Sequence, residues 1–484
     1  MVFSSPIFVY WLLPVALALY FLAPRRLKHL SLTVTSYVFY GWANPYFVIL
    51  MFATTLVDWL AALTIAHGGR LRRGEPPQLE LGGARSRAQR LALVASVVSN
   101  LGSLAFFKYF NFGVDAYNDL VSLAGLDSWA WHDAIRIALP LGISFYTFQS
   151  LSYTIDVYRG NVRALRSLVD FACFVAMFPQ LVAGPIERFS ELEAQLRHRT
   201  HTLDKAARGV ALFALGMGKK VLLANPCGQI ADATFAAAAP PPTEAWTGLL
   251  AYGFQIYFDF SGYTDMAIGL GLVLGFTYAK NFDSPYRSAS IAEFWRRWHI
   301  SLSMWLRDFL YVPLGGNRKG RRRTYVNLLV VMVLGGLWHG AAWTFLAWGA
   351  LHGALLAIER WGGEQGWRVP GPRPVRVGLT FLLVLLGWVL FRARDMAHAA
   401  DYYRALFGLL PLTEASAIVT GVVRGPFELA VLGLAAIVVW FGTQAWDYTQ
   451  RLPPIRAGVC AAVLAAALVA MASQGENPFL YFIF

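Results

Sequence analysis

The chain has 484 residues, of which 57% are hydrophobic and 14% charged, and its formal net charge is +13. Soluble domains contain about 45–50% apolar and about 25% charged residues. The composition excludes a soluble enzyme, an extracellular disulfide scaffold and a disordered chain, and it predicts a protein that lies mostly in a lipid bilayer.

The first apolar run, Ile7 to Leu22, is followed rather than preceded by basic residues, so it is not a cleavable signal peptide. Because Lys and Arg collect in cytoplasmic loops, we expect this helix to enter from outside and to end in the cytoplasm. The same rule explains the positive charge without nucleic acid. Basic loops follow near residues 70–90, 188–208 and 287–323.

Further apolar segments follow one another to the C-terminus. We predict spanning or partly spanning helices near residues 5–23, 30–43, 45–66, 91–110, 136–156, 168–184, 208–224, 246–260, 264–278, 325–345, 341–358, 377–392, 427–445 and 456–473. Several are shorter than the roughly 20 residues that a crossing needs, so we expect about 11 transmembrane helices with re-entrant or interfacial segments. Broken segments are tolerated where they line a protein interior or a cavity. The fold class is therefore an all-α polytopic membrane protein with one membrane-embedded domain over residues 1–484.

His339 is the sharpest candidate for chemistry. It lies in an apolar run between Gly336 and Gly340, whose small size lets another backbone or a substrate approach. Burial disfavours the imidazolium, so we expect a neutral ring that can take a proton from a hydroxyl as a general base. The alternative is a histidine that packs between helices. His352, thirteen residues later, is interpreted as structural.

His299 is the second candidate, in a segment rich in Trp and Arg. At helical spacing Trp295, His299 and Ser303 share one face. Arg296 and Arg307 are near enough in sequence to attract an anionic ligand. The alternative, an amphipathic helix at the membrane interface, is favoured slightly by the residues alone.

Asp259, Ser261 and Tyr263 lie among aromatic residues in an apolar context. One interpretation is that they bind a substrate or fix a re-entrant turn. The other, which we favour slightly, is that they form a polar network between helices. Cys173, Cys227 and Cys460 are too far apart for a disulfide framework or a metal site. The sequence has no P-loop, dinucleotide fingerprint, zinc spacing or Gly-x-Ser-x-Gly elbow, so ATP-driven transport and serine-hydrolase chemistry are not expected.

A series of short motifs runs through nearly the whole chain. They are Val2-Phe-Ser-Ser-Pro-Ile-Phe, Tyr40-Gly-Trp42, Pro140-Leu-Gly-Ile-Ser-Phe-Tyr-Thr-Phe-Gln149, Phe178-Pro-Gln-Leu-Val-Ala-Gly-Pro185, Phe258-Asp-Phe-Ser-Gly-Tyr-Thr-Asp265, Phe294-Trp-Arg-Arg-Trp-His299, Tyr311-Val-Pro-Leu-Gly-Gly-Asn317 and Leu337-Trp-His-Gly340. In this order they resemble the membrane-bound O-acyltransferase (MBOAT) family. The resemblance is to its bacterial branch that O-acetylates exported polysaccharides such as alginate, and more distantly to the membrane proteins of teichoic acid D-alanylation.

The resemblance implies a ring of helices around a central tunnel, with catalytic motifs within residues 140–352. It implies that His339 matches the essential family histidine and His299 the second one. The substrate-binding candidates beside them are Trp338, Asp259, Ser261, Tyr263, Trp298 and Ser303. No metal and no bound cofactor are expected.

The implied function is that of an inner-membrane O-acetyltransferase subunit. Acetyl-CoA is the implied donor, reaching the tunnel from the cytoplasm, and the acceptor is an exported polysaccharide on the other side. A periplasmic acetyltransferase-like or esterase-like protein is the implied partner, and membrane lipid surrounds the chain. The alternatives are the same chemistry on peptidoglycan or cellulose, a transporter of an acyl or glycan carrier, and a scaffold for an export complex.

Overall fold

The computed structural model describes residues 2–70, 74–366, 370–411, 414–475 and 479–480. Every regular element in these residues is helical, so the predicted all-α class is confirmed. In the predicted basic loop at 70–90, Arg72 and Arg73 lie outside the described residues. The chain divides into two compact units.

The first unit runs to Ala206 and also contains Gly271–Tyr278. Its helices are α1 (Leu13–Leu22), α2 (Lys28–Gly41), α3 (Tyr46–Ala66), α4 (Arg87–Leu123), α5 (Ile143–Arg159), α6 (Leu168–Ala176), α7 (Phe178–Leu181) and α8 (Phe189–Arg197). Asp58 of α3 accepts hydrogen bonds from Ser96 at 2.6 Å and from Asn100 at 2.8 Å, both on α4. These bonds join α3 to α4 without leaving the buried carboxylate unpaired.

The second unit comprises Ala207–Leu270 and the chain from Ala279 onward. The remaining helices, which lie wholly or largely in this unit, are α9 (Leu203–Gly218), α10 (Asn225–Ala236), α11 (Pro242–Val273), α12 (Ile291–Arg297), α13 (Ile300–Leu306), α14 (Arg321–His339), α15 (Trp343–Glu364), α16 (Arg373–Arg392), α17 (Met396–Leu406), α18 (Glu414–Val423), α19 (Pro426–Phe441), α20 (Ala445–Tyr448) and α21 (Pro454–Ser473). Lys219–Ala224 is a π-helical segment that joins α9 to α10.

Five helical stretches of the described chain are long and apolar enough to cross a membrane. They are Tyr46–Ala66, Arg87–Leu123, Leu203–Ala236, Arg373–Arg392 and Pro454–Ser473. Large apolar side chains such as Leu22, Leu123, Phe441 and Ile455 are more than 80% exposed on the protein surface. Such side chains suit contact with lipid, and the chain is a multi-pass membrane protein.

The helix boundaries differ from the sequence prediction at several segments, among them 246–260, 264–278 and 136–156. The predicted segment 246–260 and most of the predicted segment 264–278 form one continuous helix, α11, of 32 residues, which ends at Val273. The predicted helix at 136–156 begins only at Ile143, because Pro140 precedes it and Gly142 adopts a left-handed conformation with φ of 72°. Glycine takes this conformation at little cost, so it ends the preceding loop and starts α5.

The helices α14 and α15 pack closely because glycines face each other. A Cβ atom on Gly336 would overlap the carbonyl oxygen of Phe345, and one on Gly349 would overlap that of Met332. Small residues allow two helix backbones to approach in this way. This contact fixes the C-terminal end of α14, where His339 is the last helical residue.

Gly336→Ala should therefore destabilise the protein by about 1–3 kcal/mol, because the added methyl group forces the two helices apart. The neighbouring Gly335→Ala is the matched control, since its Cβ would meet only Leu306 Cδ1 at 3.4 Å. Thermal unfolding of the two purified variants in detergent measures the difference. Equal melting temperatures would contradict the close packing of α14 and α15.

Candidate active site

His339 lies in a box of aromatic rings at the end of α14. Its ring centroid is 5.0 Å from that of Trp338, 5.3 Å from that of Trp348 and 5.4 Å from that of Phe391. The side chain is buried, as the sequence predicted. The chain leaves the helix at Gly340 in an extended conformation and α15 begins at Trp343, so the histidine sits at a turn between two helices.

His299 does not lie on a continuous helix. The helix α12 ends at Arg297, α13 begins at Ile300, and His299 caps α13 with φ of 45°. The prediction that Trp295, His299 and Ser303 share one helical face is therefore wrong, because the chain breaks between the two helices. Ser303, which is half-buried, donates its backbone N–H to the carbonyl oxygen of His299 at 3.0 Å.

Trp295 instead contacts His352 of α15, the histidine interpreted as structural. The indole N–H donates to His352 Nδ1 at 3.3 Å, and the two ring centroids are 5.2 Å apart. His352 is fully buried and packs against Trp348 at 4.9 Å. Because Trp348 also contacts His339, His352 supports one wall of the aromatic box.

Asn281 holds His299 in its left-handed conformation. Its Oδ1 faces His299 Nδ1 at 3.3 Å and accepts from the N–H and the hydroxyl of Ser301 at 3.1 and 2.9 Å. Its backbone oxygen accepts from the N–H of Ile300 at 3.0 Å. Sequence analysis missed Asn281, since 18 residues separate it from His299 and no local pattern links them.

The two histidines come together from separate elements. Their ring centroids are 6.4 Å apart, and Trp338 lies 6.0 Å from His299. His299 lies outside the five apolar stretches, and burial lowers the pKa of its imidazole to about 3. The ring is therefore neutral at physiological pH, because its surroundings offer little solvation to the imidazolium.

A cavity of about 370 Å³ lies between α12, α13, α14 and α15. His339 and Ser303 are on its wall together with Arg296 and Arg307, whose side chains are exposed at its edge. Most of the remaining wall is apolar and includes Met304, Leu328, Val331, Met332 and Leu356. Arg307 is paired with Asp308 at 2.6 Å. The cavity thus offers the exposed Arg296 and a buried histidine in an apolar interior.

Asp259, Ser261 and Tyr263 all lie within α11, so the alternative of a re-entrant turn at these residues is wrong. Asp259 pairs with Lys220 at 2.6 Å. Asp265 pairs with Lys219 at 2.6 Å, and Ser261 lies 3.5 Å from the same ammonium group. These contacts form a polar network between α11 and the π-helical segment, the arrangement that the sequence favoured slightly.

The other substrate-binding candidates, Trp298 and Trp338, are buried. Trp298 packs among aromatic rings, with Trp388 and Phe282 each at 5.1 Å. Trp338 contacts both catalytic candidates. Tyr263 packs on Phe479 at 4.8 Å.

The helical fold is that of a multi-pass membrane protein, and its buried histidine pair is a candidate active site. The model of the MBOAT, membrane-bound O-acyltransferase family, matches residues 161–361. A protein of Pseudomonas aeruginosa named "Probable alginate O-acetylase AlgI" is 48% identical over 93% of this chain and 83% of its own length. A protein of Azotobacter vinelandii with the same name is 43% identical over the whole of both chains.

A peptidoglycan O-acetyltransferase of Helicobacter pylori is 33% identical over 84% of this chain and 80% of its own length. The chain therefore belongs to the membrane-bound O-acyltransferase family, and the resemblance seen in its motifs is confirmed. The predicted enzyme class, an O-acyltransferase, is confirmed with it.

Proposed function

We propose that this protein is an inner-membrane O-acetyltransferase that passes acetyl groups from cytoplasmic acetyl-CoA toward hydroxyls of an exported, alginate-like polysaccharide. The names of the relatives support the acetyl group and the polymer. One observation carries the mechanism: His339 lies on the wall of a cavity edged by Arg296 and Arg307, and 6.4 Å from His299.

In the proposed reaction the arginines bind the phosphates of the donor, and the thioester enters the apolar part of the cavity. His339 takes the proton of the attacking hydroxyl as general base. The hydroxyl oxygen bonds to the acetyl carbon, the carbon–sulfur bond breaks, and the proton passes to the departing thiolate. His299 orients one of the two reactants.

The proposal includes the number of membrane crossings and the tunnel. Residues 1–484 form one membrane-embedded domain with about 11 crossings around a central tunnel, in keeping with the length that a spanning helix needs. The sequence has no polar stretch long enough for a soluble catalytic domain. A separate periplasmic protein is therefore proposed to complete transfer to the polymer.

The proposal is tested in a deletion strain that carries either no copy or one copy of this gene. Ester-linked acetate is measured on the exported polysaccharide and on peptidoglycan, because relatives of both kinds are known from the comparison. Acetate that depends on the gene supports the proposal, and the polymer that loses it is the acceptor. Unchanged acetate on both polymers would refute it.

Arg296→Gln should raise the KM for acetyl-CoA by about three- to tenfold with little change in kcat, because a solvent-exposed hydrogen bond to phosphate, worth about 1 kcal/mol, is lost. Arg296 is exposed at the cavity edge. Arg360→Gln is the matched control, since Arg360 pairs with Glu364 on α15 and is not on the cavity wall. Initial rates in inside-out vesicles at varied donor concentration measure both. Equal KM values for the two variants would show that Arg296 does not bind the donor.

A further inference from the structure

We infer that Asn281 is a positioning residue that fixes His299 as a hydrogen-bond acceptor at Nε2, so that this histidine orients the acceptor through a hydroxyl next to the attacking one, and does not bind the thioester carbonyl. The inference rests on the proposed function, because it assigns His299 one of the two reactants. It is carried by the hydrogen bonds around Asn281 and by the backbone conformation of His299.

The orientation of the Asn281 amide follows from its neighbours. A backbone N–H can only donate, so the side-chain atom 3.1 Å from Ser301 N is the amide oxygen. The same oxygen lies 3.3 Å from His299 Nδ1. Since an oxygen of this kind only accepts, Nδ1 carries the hydrogen. A neutral imidazole has one N–H group, so Nε2 carries the lone pair.

The backbone holds this arrangement in place. His299 is one of two non-glycine residues in the described chain with positive φ, a conformation that L-residues rarely adopt. The backbone oxygen of Asn281 accepts from Ile300, directly after the histidine, at 3.0 Å. Asn281 thus binds both the backbone and the ring, and Phe260 packs edge-on against that ring at 4.7 Å.

Nε2 of His299 is buried and has no hydrogen-bond partner among the residues that the structure describes. A buried polar atom of this kind is usually satisfied by water or ligand. Because the atom bears a lone pair, the fitting group is a donor, and a hydroxyl is one. A thioester carbonyl only accepts, so it cannot bond to this atom.

The residues on the cavity wall agree with different roles for His339 and His299. His339 lies on the wall and His299 does not. A donor in the cavity therefore meets His339, and the lone pair of His299 remains for a second reactant. His299 then holds a hydroxyl next to the attacking one, while the attacking hydroxyl and the acetyl group meet beside His339, which takes the proton.

The tautomer is measured directly by solid-state NMR of the full-length protein in membranes with ¹⁵N-labelled histidine. The signals of His299 are assigned by their loss in His299→Gln. We expect a protonated Nδ1 and a bare Nε2. In Asn281→Leu, which lacks the acceptor, we expect signal from the Nε2–H tautomer to appear. Asn327→Leu is the control, because Asn327 is equally buried and, among the described residues, donates its side-chain amide to the backbone oxygens of Leu314 and Gly316.

Kinetics of the same variants separate positioning from a merely structural role. Asn281→Leu should lower kcat at least about tenfold, as other wrong-tautomer variants do, with little change in the donor KM. Asn281→Asp keeps the acceptor oxygen and should retain more activity. Its negative charge stabilises the imidazolium and raises the pKa of His299, so the acidic limb of the pH–rate profile should move to higher pH.

An Nε2–H tautomer in the wild-type protein, or one that Asn281→Leu leaves unchanged, would overturn the inference. A pH profile of Asn281→Asp identical to wild type would also count against it. If the wild-type protein shows the expected tautomer but transfers no acetyl group, the proposed function fails while the assignment of Asn281 and His299 stands.

Discussion

Replacing His339 with alanine should lower acetyl transfer by about 10²–10⁴-fold, the usual contribution of a general base. The reason is that this ring lies on the cavity wall and is the basic side chain that a bound thioester would meet there. Because alanine leaves a void among Trp338, Trp348 and Phe391, His339→Gln is made as a second variant that keeps most of the volume. Both should lose transfer.

The matched control is His352→Gln, which replaces another buried histidine of the same unit and keeps an acceptor for the indole of Trp295. Acetate on the polymer is compared at equal membrane levels of each protein. We expect His352→Gln to retain most of the wild-type transfer. If His339→Gln does so as well, His339 is a packing residue and the proposed mechanism is wrong.

Asp259→Ala should destabilise the protein by about 3–5 kcal/mol, because it leaves the ammonium group of Lys220 buried without its carboxylate. The side chains of both residues are at most 5% exposed, and Lys220 lies within the apolar stretch Leu203–Ala236. The same carboxylate accepts from the N–H of Leu480 at 2.7 Å, so that contact is lost too. Thermal unfolding in detergent measures the effect.

The double variant Lys220→Met with Asp259→Leu removes both charges and should recover most of the lost stability. Asp401→Ala is the control for a surface pair, since Asp401 and Arg404 are exposed, and it should change stability by less than about 0.5 kcal/mol. Activity in the recovered double variant distinguishes the two interpretations of Asp259. Transfer that persists supports a structural network, and transfer that is lost in a stable protein supports substrate binding.

The fold class followed from the composition because lipid offers no hydrogen bonds to a backbone, so apolar segments must satisfy their own polar groups as helices. His339 could be singled out for a related reason. An ionisable residue in an apolar run is costly, and its burial in the structure agrees with that pattern. The fold class and the choice of His339 both depend on hydrophobicity, which is a property of each segment by itself.

Other features depend on partners far away in the chain. The segment around His299 has helical spacing, yet Asn281 bonds to three successive residues, His299, Ile300 and Ser301, and stabilises a break that spacing does not predict. For Asp259 the sequence favoured a polar network only slightly over substrate binding. Its partner Lys220 is 39 positions earlier, and only helix packing brings the two together.

By itself the sequence determined that this protein is a helical membrane enzyme of a recognisable family with a histidine in an apolar run. The tertiary structure decided which groups face that histidine, which ring nitrogen of His299 carries the hydrogen, and which charged side chains form ion pairs. The physical reason is range: hydrophobicity and helix length act within a segment, whereas hydrogen bonds, ion pairs and ring contacts depend on which segments pack together.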